Sequence, residues 1–325
     1  MRTFQSRAHF LIAAFLFLMV VAEDVAARSY YRTRLPRPTI RDIAYGSDPK
    51  QTINFWRCQQ GANRPLLVYF AGSTRAGASK DHIRADVVKA CLHAGINVAA
   101  VDTRMTYLKD GHEGILDAAR ALQHLRHHAE KLRFDPTKIA GYGNSAGGTV
   151  ALWLAVHDDM AVPASKDPIA TQSTRLSCAV AFNAPTTLLP DEMRRIAGDV
   201  VLNHGFIPRL FQVQSFEELN APELSKWVRA FSPAEHIDRN DPPIGLNYRL
   251  SVVSLHGNFA TVQAIQSPAF GEHLVERLKE ARVIHYLNLY NQGRDNTLKP
   301  MIEFLQQHLT VKENEIMTRA DVTGR

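Results

Sequence analysis

One six-residue stretch narrows the possible folds of this chain more than any other. Gly143-Asn144-Ser145-Ala146-Gly147-Gly148 stands between a strand-like apolar run, Lys138-Ile139-Ala140-Gly141-Tyr142, and a helix-like apolar run from Ser145 to about His157. A G-x-S-x-G turn in that setting is a nucleophile elbow: the glycines permit a tight, strained turn that lifts the serine hydroxyl above the end of a sheet. The helix behind it turns free N–H groups and positive potential toward the hydroxyl. A glycine-rich packing turn can share the motif, but it does not require these flanks. The expectation is Ser145 as nucleophile, framed by Gly143, Asn144, Gly147 and Gly148, with the Ala146 N–H as one oxyanion donor.

Around this turn, short apolar runs alternate with stretches of helical rhythm. Pro65–Phe70, Asn97–Val101, Cys178–Phe182, a run within Ile244–Leu250 and Val283–Tyr290 read as strands buried on both faces. Ser79–Ala94 reads as a helix with Gly95 at its C′ position. Asp110–Leu132 reads as one long helix broken by Asp135-Pro136, and Phe270–Ala281 and Leu298–Leu309 as the last two helices. Such alternation predicts an α/β fold: a mostly parallel central sheet with helices on both faces. Residues 186–236 lack clear strands and read as an insertion that could cap the site, while residues 310–325 form a polar tail.

The N-terminus carries its own signals. Arg2 and Arg7 precede an unbroken apolar run, Phe10–Ala22, and Val25-Ala26-Ala27 offers small residues for cleavage. Residues 1–27 therefore read as a signal peptide, giving an exported, periplasmic or extracellular protein that begins at Arg28. The apolar run is too short to span a bilayer comfortably, and no second run of spanning length follows. Residues 28–64 read as a basic arm, with Arg28, Arg32, Arg34, Arg37 and Arg41, followed by leading strands. The formal charge of +6 is concentrated there. The arm reads as solvated, so a surface-binding module is the weakest functional class, and no nucleic-acid partner is expected.

Three cysteines, Cys58, Cys91 and Cys178, allow at most one internal disulfide, and none has metal or redox spacing. His124 and His128 have i, i+4 spacing but lack the third ligand of a metal site, so they read as a solvated helix face. Asp102 and Arg104 read as an ion pair under the site, and His112-Glu113 as the capped start of the long helix. No cofactor or metal is expected.

The loop after the first core strand, Phe70-Ala71-Gly72-Ser73-Thr74, resembles the F-H-G-G-G loop of the esterase/lipase branch of the α/β-hydrolase fold superfamily, with Ala71, Ser73 and Thr74 as replacements. Val101-Asp102-Thr103-Arg104 is similar to that branch's D-Y-R motif. Phe134-Asp135-Pro136-Thr137-Lys138-Ile139 is similar to its lead-in to the elbow, and Asp241-Pro242-Pro243 to the segment before its acid-bearing strand. The likeness covers residues 65–309, is sharpest at 134–148, and extends to secreted acetyl- and feruloyl-esterase-like members. It implies an α/β-hydrolase domain that cleaves a small-molecule or carbohydrate ester through an acyl-serine, with Gly72 or Ser73 beside Ala146 in the oxyanion hole.

The resemblance also implies an acid after the strand that follows Asp241-Pro242-Pro243 and a histidine after the last strand. Pro242–Gly271 contains no Asp or Glu, and Asp295 stands near the expected histidine position. His256 as base with Asp295 as acid would exchange the two roles in space, and Asp191 is an alternative acid. Two readings follow. One is a secreted serine hydrolase with a degenerate or relocated triad; the other is a non-catalytic protein of the same fold that binds a ligand. Neither specifies the ester or the oligomeric state.

Overall fold

The computed structural model describes residues 34–59, 61–71, 79–104, 113–250, 258–291 and 297–309. The strands among them are β1 (Ile40–Ala44), β2 (Thr52–Trp56), β3 (Arg64–Phe70), β4 (Asn97–Val101), β5 (Phe134–Asn144), β6 (Cys178–Phe182), β7 (Ile244–Leu250) and β8 (His285–Asn291). They form one sheet in the order β1-β2-β4-β3-β5-β6-β7-β8. The β1–β2 and β2–β4 pairs are antiparallel, and every other neighbouring pair is parallel. The helices are α1 (Ala85–His93), α2 (Glu113–His127), α3 (Ala129–Leu132), α4 (Ala146–Val156), α5 (Pro190–Ala197), α6 (Phe206–Leu210), α7 (Pro222–Ala230), α8 (Asn258–Ile265), α9 (Pro268–Ala281) and α10 (Leu298–Leu309).

Side chains on a strand alternate between faces, so a sheet covered on both sides needs apolar residues at every position. Leu66, Val68 and Phe70 of β3 enter the layer that holds α2, α4 and α9. Leu67 and Tyr69 enter the opposite layer, with α1 and α10. This double burial is why the strands were legible as unbroken apolar runs.

The helical predictions need local correction. Ser79–Ala94 splits into a 3-10 turn at Lys80–His82, an extended Arg84, and α1. The long helix divides into α2 and α3 at His128, and residues 110–112 lie outside the described residues. β5 begins at Phe134, earlier than the apolar run suggested, because a proline at a strand's start removes no essential ladder bond.

Residues 186–236 contain α5, α6, α7 and 3-10 turns but no strand. Met193, Val201, Ile207, Phe211, Leu219, Val228 and Phe231 from this segment join the core on the α4 side. The Trp153 indole N–H donates to the Ala230 carbonyl at 2.8 Å, and its ring packs on Phe231. With its one polar group satisfied, the large apolar ring is buried at little cost.

Two expectations about polar residues are overturned. Asp102 and Arg104 do not pair with each other. The Lys80 ammonium reaches Asp102 at 3.1 Å and Asp42 at 3.0 Å, while Arg104 binds Asp117 of α2 at 2.8 Å. Each charge is recruited by an element distant in sequence, which i, i+2 spacing cannot reveal. His124 is buried rather than solvated, because the segment from His157 to Ser177 folds over α2. Gln123 donates to the carbonyls of Met160, Ala170 and Gln172, and Arg126 to those of Ser173 and Arg175. Of the three histidines, His127 alone is exposed. All three cysteines are free and buried. No helix among the described residues is long and apolar enough to cross a membrane.

Candidate active site

β5 runs directly into the turn, and α4 starts one residue after Ser145. Ser145 has φ 52° and ψ −125°, a conformation that costs a residue with a Cβ on the order of 1–3 kcal/mol. The surrounding backbone imposes it. The Ser145 N–H donates to the Phe182 carbonyl at 2.8 Å, and the Ser145 carbonyl accepts the Thr149 N–H at 3.0 Å. The Thr149 hydroxyl donates to the Pro185 carbonyl at 2.8 Å.

The two outer glycines serve closeness rather than unusual dihedrals. A Cβ at Gly143 would lie 2.1 Å from the Gly147 carbonyl oxygen, and one at Gly148 would lie 2.9 Å from the Ala184 Cβ. The strain that sequence reasoning assigned to the glycines falls on Ser145 itself. α4 is apolar around its circumference and almost wholly buried, so it is a rigid base for the turn. Ser145 and Ala146 are half-buried at its start, and Asn144 is exposed. Ala146 is the first residue of α4, where a helix leaves N–H groups without an internal acceptor. An anion forming on a substrate bonded to Ser145 would meet that N–H and the positive end of the helix.

Beside Ser145, β5 to β8 are linked by neutral polar side chains. Asn183, with φ 47°, donates from Nδ2 to the Asn144 Oδ1 and the Tyr290 hydroxyl, each at 3.1 Å. The Asn247 Nδ2 donates to the Tyr286 hydroxyl at 3.0 Å, and its Oδ1 accepts from Asn288 at 3.1 Å. Burial pushes the Tyr286 hydroxyl up to about 12, so it stays protonated at neutral pH. Sequence reasoning passed over this network. The available signal was asparagine at Asn144, Asn247 and Asn288 in strands, where amides are disfavoured, but β2 and β4 carry asparagine as well.

On the other side of the elbow, charges replace amides. The Lys80 ammonium also donates to the Thr52 hydroxyl at 3.0 Å, and its backbone N–H donates to Asp102 at 2.5 Å. Burial lowers the Lys80 pKa, but its bonds to Asp42 and Asp102 outweigh that and hold it above the ordinary lysine value. Asp117 binds Arg104 through both carboxylate oxygens and accepts the Gln51 amide at 2.7 Å.

Of the remaining candidates, Asp191 alone lies among the described residues. Asp191 sits in the first turn of α5 with its side chain 78% exposed, and it pairs with Arg194 at 3.3 Å. Gly72, Ser73, His256 and Asp295 lie outside the described residues, as does His112. Among the described residues, no group of three or more His, Cys, Asp or Glu side chains could hold a metal ion.

Comparison with solved structures places this arrangement in a known fold. A truncated carbohydrate esterase from gut microbiota superposes with a TM-score of 0.66 at 16% identity, covering 84% of this chain and 96% of that one. An acetyl ester-xyloside bifunctional hydrolase from Caldicellulosiruptor lactoaceticus gives 0.62 at 18% identity, covering 85% and 96%. A propionate-bound thermophilic esterase from the Planctomycetes species Thermogutta terrifontis gives 0.58 at 20% identity, covering 87% and 99%. At these identities the likeness establishes the α/β-hydrolase fold. Comparison with curated proteins finds no match. The sequence model of the BD-FAE family matches residues 55–249, from β2 through the elbow to β7 and more than half of the chain. The chain therefore belongs to the BD-FAE family, within the α/β-hydrolase fold.

Proposed function

We propose that this protein is an exported carboxylic ester hydrolase that works through an acyl-serine at Ser145. The observation that carries the proposal is Ser145 at φ 52°, ψ −125° between a buried strand and a buried helix, with its N–H tied to Phe182. Strain of this kind persists where the surrounding structure over-determines it, and it clusters at working sites. In the reaction, the Ser145 Oγ gives its proton to the base and attacks the ester carbonyl carbon, the Ala146 N–H donates to the carbonyl oxygen as it gains negative charge, and the base returns the proton to the leaving alcohol. Collapse expels the alcohol and leaves an acyl-serine, which water hydrolyses to the acid and free serine.

The base and acid of this reading are His256 and Asp295, with Asp191 the alternative acid. The solved relatives named as carbohydrate and acetyl esterases favour a short acyl group on a small or carbohydrate alcohol. Residues 1–27 would direct export, and a mature chain beginning at Arg28 by N-terminal sequencing would bear that out.

A second reading has its own observation. The described side chains that link β6, β7 and β8 near Ser145, namely Asn183, Asn247, Asn288, Tyr286 and Tyr290, are amides and phenols rather than carboxylates and imidazoles. That composition favours a binding protein that keeps the pocket without the proton transfers. Turnover of nitrophenyl acetate and butyrate by the mature protein and by Ser145→Ala separates the two. The hydrolase reading expects a loss of at least about 10³-fold in kcat/KM. Equal rates in the two proteins across acyl lengths would leave the binding reading.

A further inference from the structure

Asn183 follows Phe182, whose carbonyl accepts the Ser145 N–H at 2.8 Å. The Asn183 N–H donates to the Asn247 carbonyl at 2.8 Å, and its Oδ1 accepts the Arg249 N–H at 2.9 Å. Its Nδ2 donates to the Asn144 Oδ1 and to the Tyr290 hydroxyl, both at 3.1 Å. One side chain therefore meets β5, β7 and β8 together. It also bears on Ser145 from both directions, through the residue before it and through the carbonyl that binds its amide.

This bonding is more than the sheet needs. β6 and β7 are already paired from Ala179–Ile244 to Phe182–Asn247, before Asn183 is reached. A turn alone at φ 47° would be met more cheaply by glycine, which has no Cβ to crowd the left-handed conformation. What asparagine adds over glycine is an amide with both donor hydrogens and its oxygen in use.

We propose that Asn183 is a positioning residue, one that fixes the orientation of the elbow so that the Ser145 hydroxyl stands correctly at the sheet edge. Asn183 does not touch the reacting atoms; it acts through Asn144 and the Phe182 carbonyl. The proposal rests on the reading of Ser145 as nucleophile.

Asn183→Gly is the informative variant, because it keeps the left-handed backbone and removes only the amide. With nitrophenyl acetate as substrate, kcat should fall about 10- to 100-fold while KM stays within about threefold, the signature of a misplaced nucleophile. The losses in kcat from Asn144→Ala and Asn183→Gly should be non-additive in the double variant, which a general loss of stability would not produce. Hydrogen exchange at the Ser145 amide should speed up about tenfold or more, with the β4 amides of Ala99 and Ala100 unchanged. If Asn183→Gly does not fold, the isosteric Asn183→Asp keeps the acceptor, loses both donations, and is read in the same way.

In a wild-type protein that hydrolyses the ester, an unchanged kcat overturns the proposal whatever the exchange rate. In a wild-type protein with no turnover, the ester-hydrolase reading fails, and exchange at Ser145 decides separately. Faster exchange then supports positioning by Asn183, and unchanged exchange overturns it.

Discussion

At the carboxyl end of the sheet, where β5 delivers Ser145, the polar groups among the described residues include a neutral network and a paired ionic cluster. Asn144, Asn183 and Tyr290 form one chain of hydrogen bonds, and the buried Lys80–Asp102 pair is joined by the exposed Asp42. At the amino end, where α2 and α4 finish and β7 begins, the same residue budget is spent on groups with displaced titrations. Burial pushes His124 down to about 4, with His128, Arg120 and His127 adding to the effect. Burial also pushes Asp241 up to about 6, where Asp238 and Asp158 reinforce it against the Asp238 N–H bond, and it holds His157 below the usual histidine range. Perturbed titration commonly points to a functional site. His124, His157 and Asp241, however, lie at the end away from the nucleophile.

The largest expected effect tests the ionic side of the carboxyl end. Lys80→Met leaves Asp102 buried without its cation and should cost about 3–5 kcal/mol in denaturant unfolding. Lys80→Arg should recover part of this. A loss below about 1 kcal/mol would mean that the cluster is a surface ion pair in energetic terms.

The next effect separates the two ends by pH. The folded pKa of His124 lies below its unfolded value, so the unfolded chain takes up the proton first. Stability from the neutral ring is therefore full above pH 6.5 and is lost as pH falls toward about 4, by about 1–2 kcal/mol after allowance for solvent screening. His124→Leu should flatten that limb of the stability profile and leave the pH dependence of kcat/KM unchanged. A displaced rate profile in this variant would break the separation between the ends.

Asp241 has the opposite sign. Its folded pKa lies above its unfolded value, so its contribution is full below pH 3.8 and is lost as pH rises through about 6. Asp241→Asn should be more stable than wild type at pH 8 by about 1 kcal/mol, after allowance for solvent screening, with no such gain at pH 3. Thermal unfolding at the two pH values checks both the sign and the size. The smallest effect belongs to the neutral network: Tyr290→Phe removes one acceptor from Asn183 and should cost about 0.5 kcal/mol. A cost of several kcal/mol would mean that the phenol supports the fold rather than the elbow.

Whatever depends on neighbours in the chain was legible. The elbow could be read because Gly143, Ser145 and Gly148 lie within six residues and their flanks declare a strand and a helix. The sheet could be read because double burial makes each parallel strand an apolar run. The Leu298–Leu309 helix matched residue for residue, since its amphipathic rhythm ends where the polar tail begins. Asp102 and Arg104 were paired wrongly, and His124 was placed in water, for a shared reason. Their partners, Lys80, Asp117 and the segment that closes over α2, are set by how layers stack rather than by spacing.

Asn183 shows the division most clearly. From the sequence it is an asparagine that ends an apolar strand. In the fold, strand order brings Asn144, Asn247, Arg249 and Tyr290 to its amide from positions 39, 64, 66 and 107 residues away. By itself the sequence determined that Ser145 would stand on a strained turn at the head of a buried helix, because dihedral limits and burial act over a few residues. The tertiary structure alone decided which side chains hold that turn, because a hydrogen bond depends on position in space and the sheet order, not the sequence order, sets it.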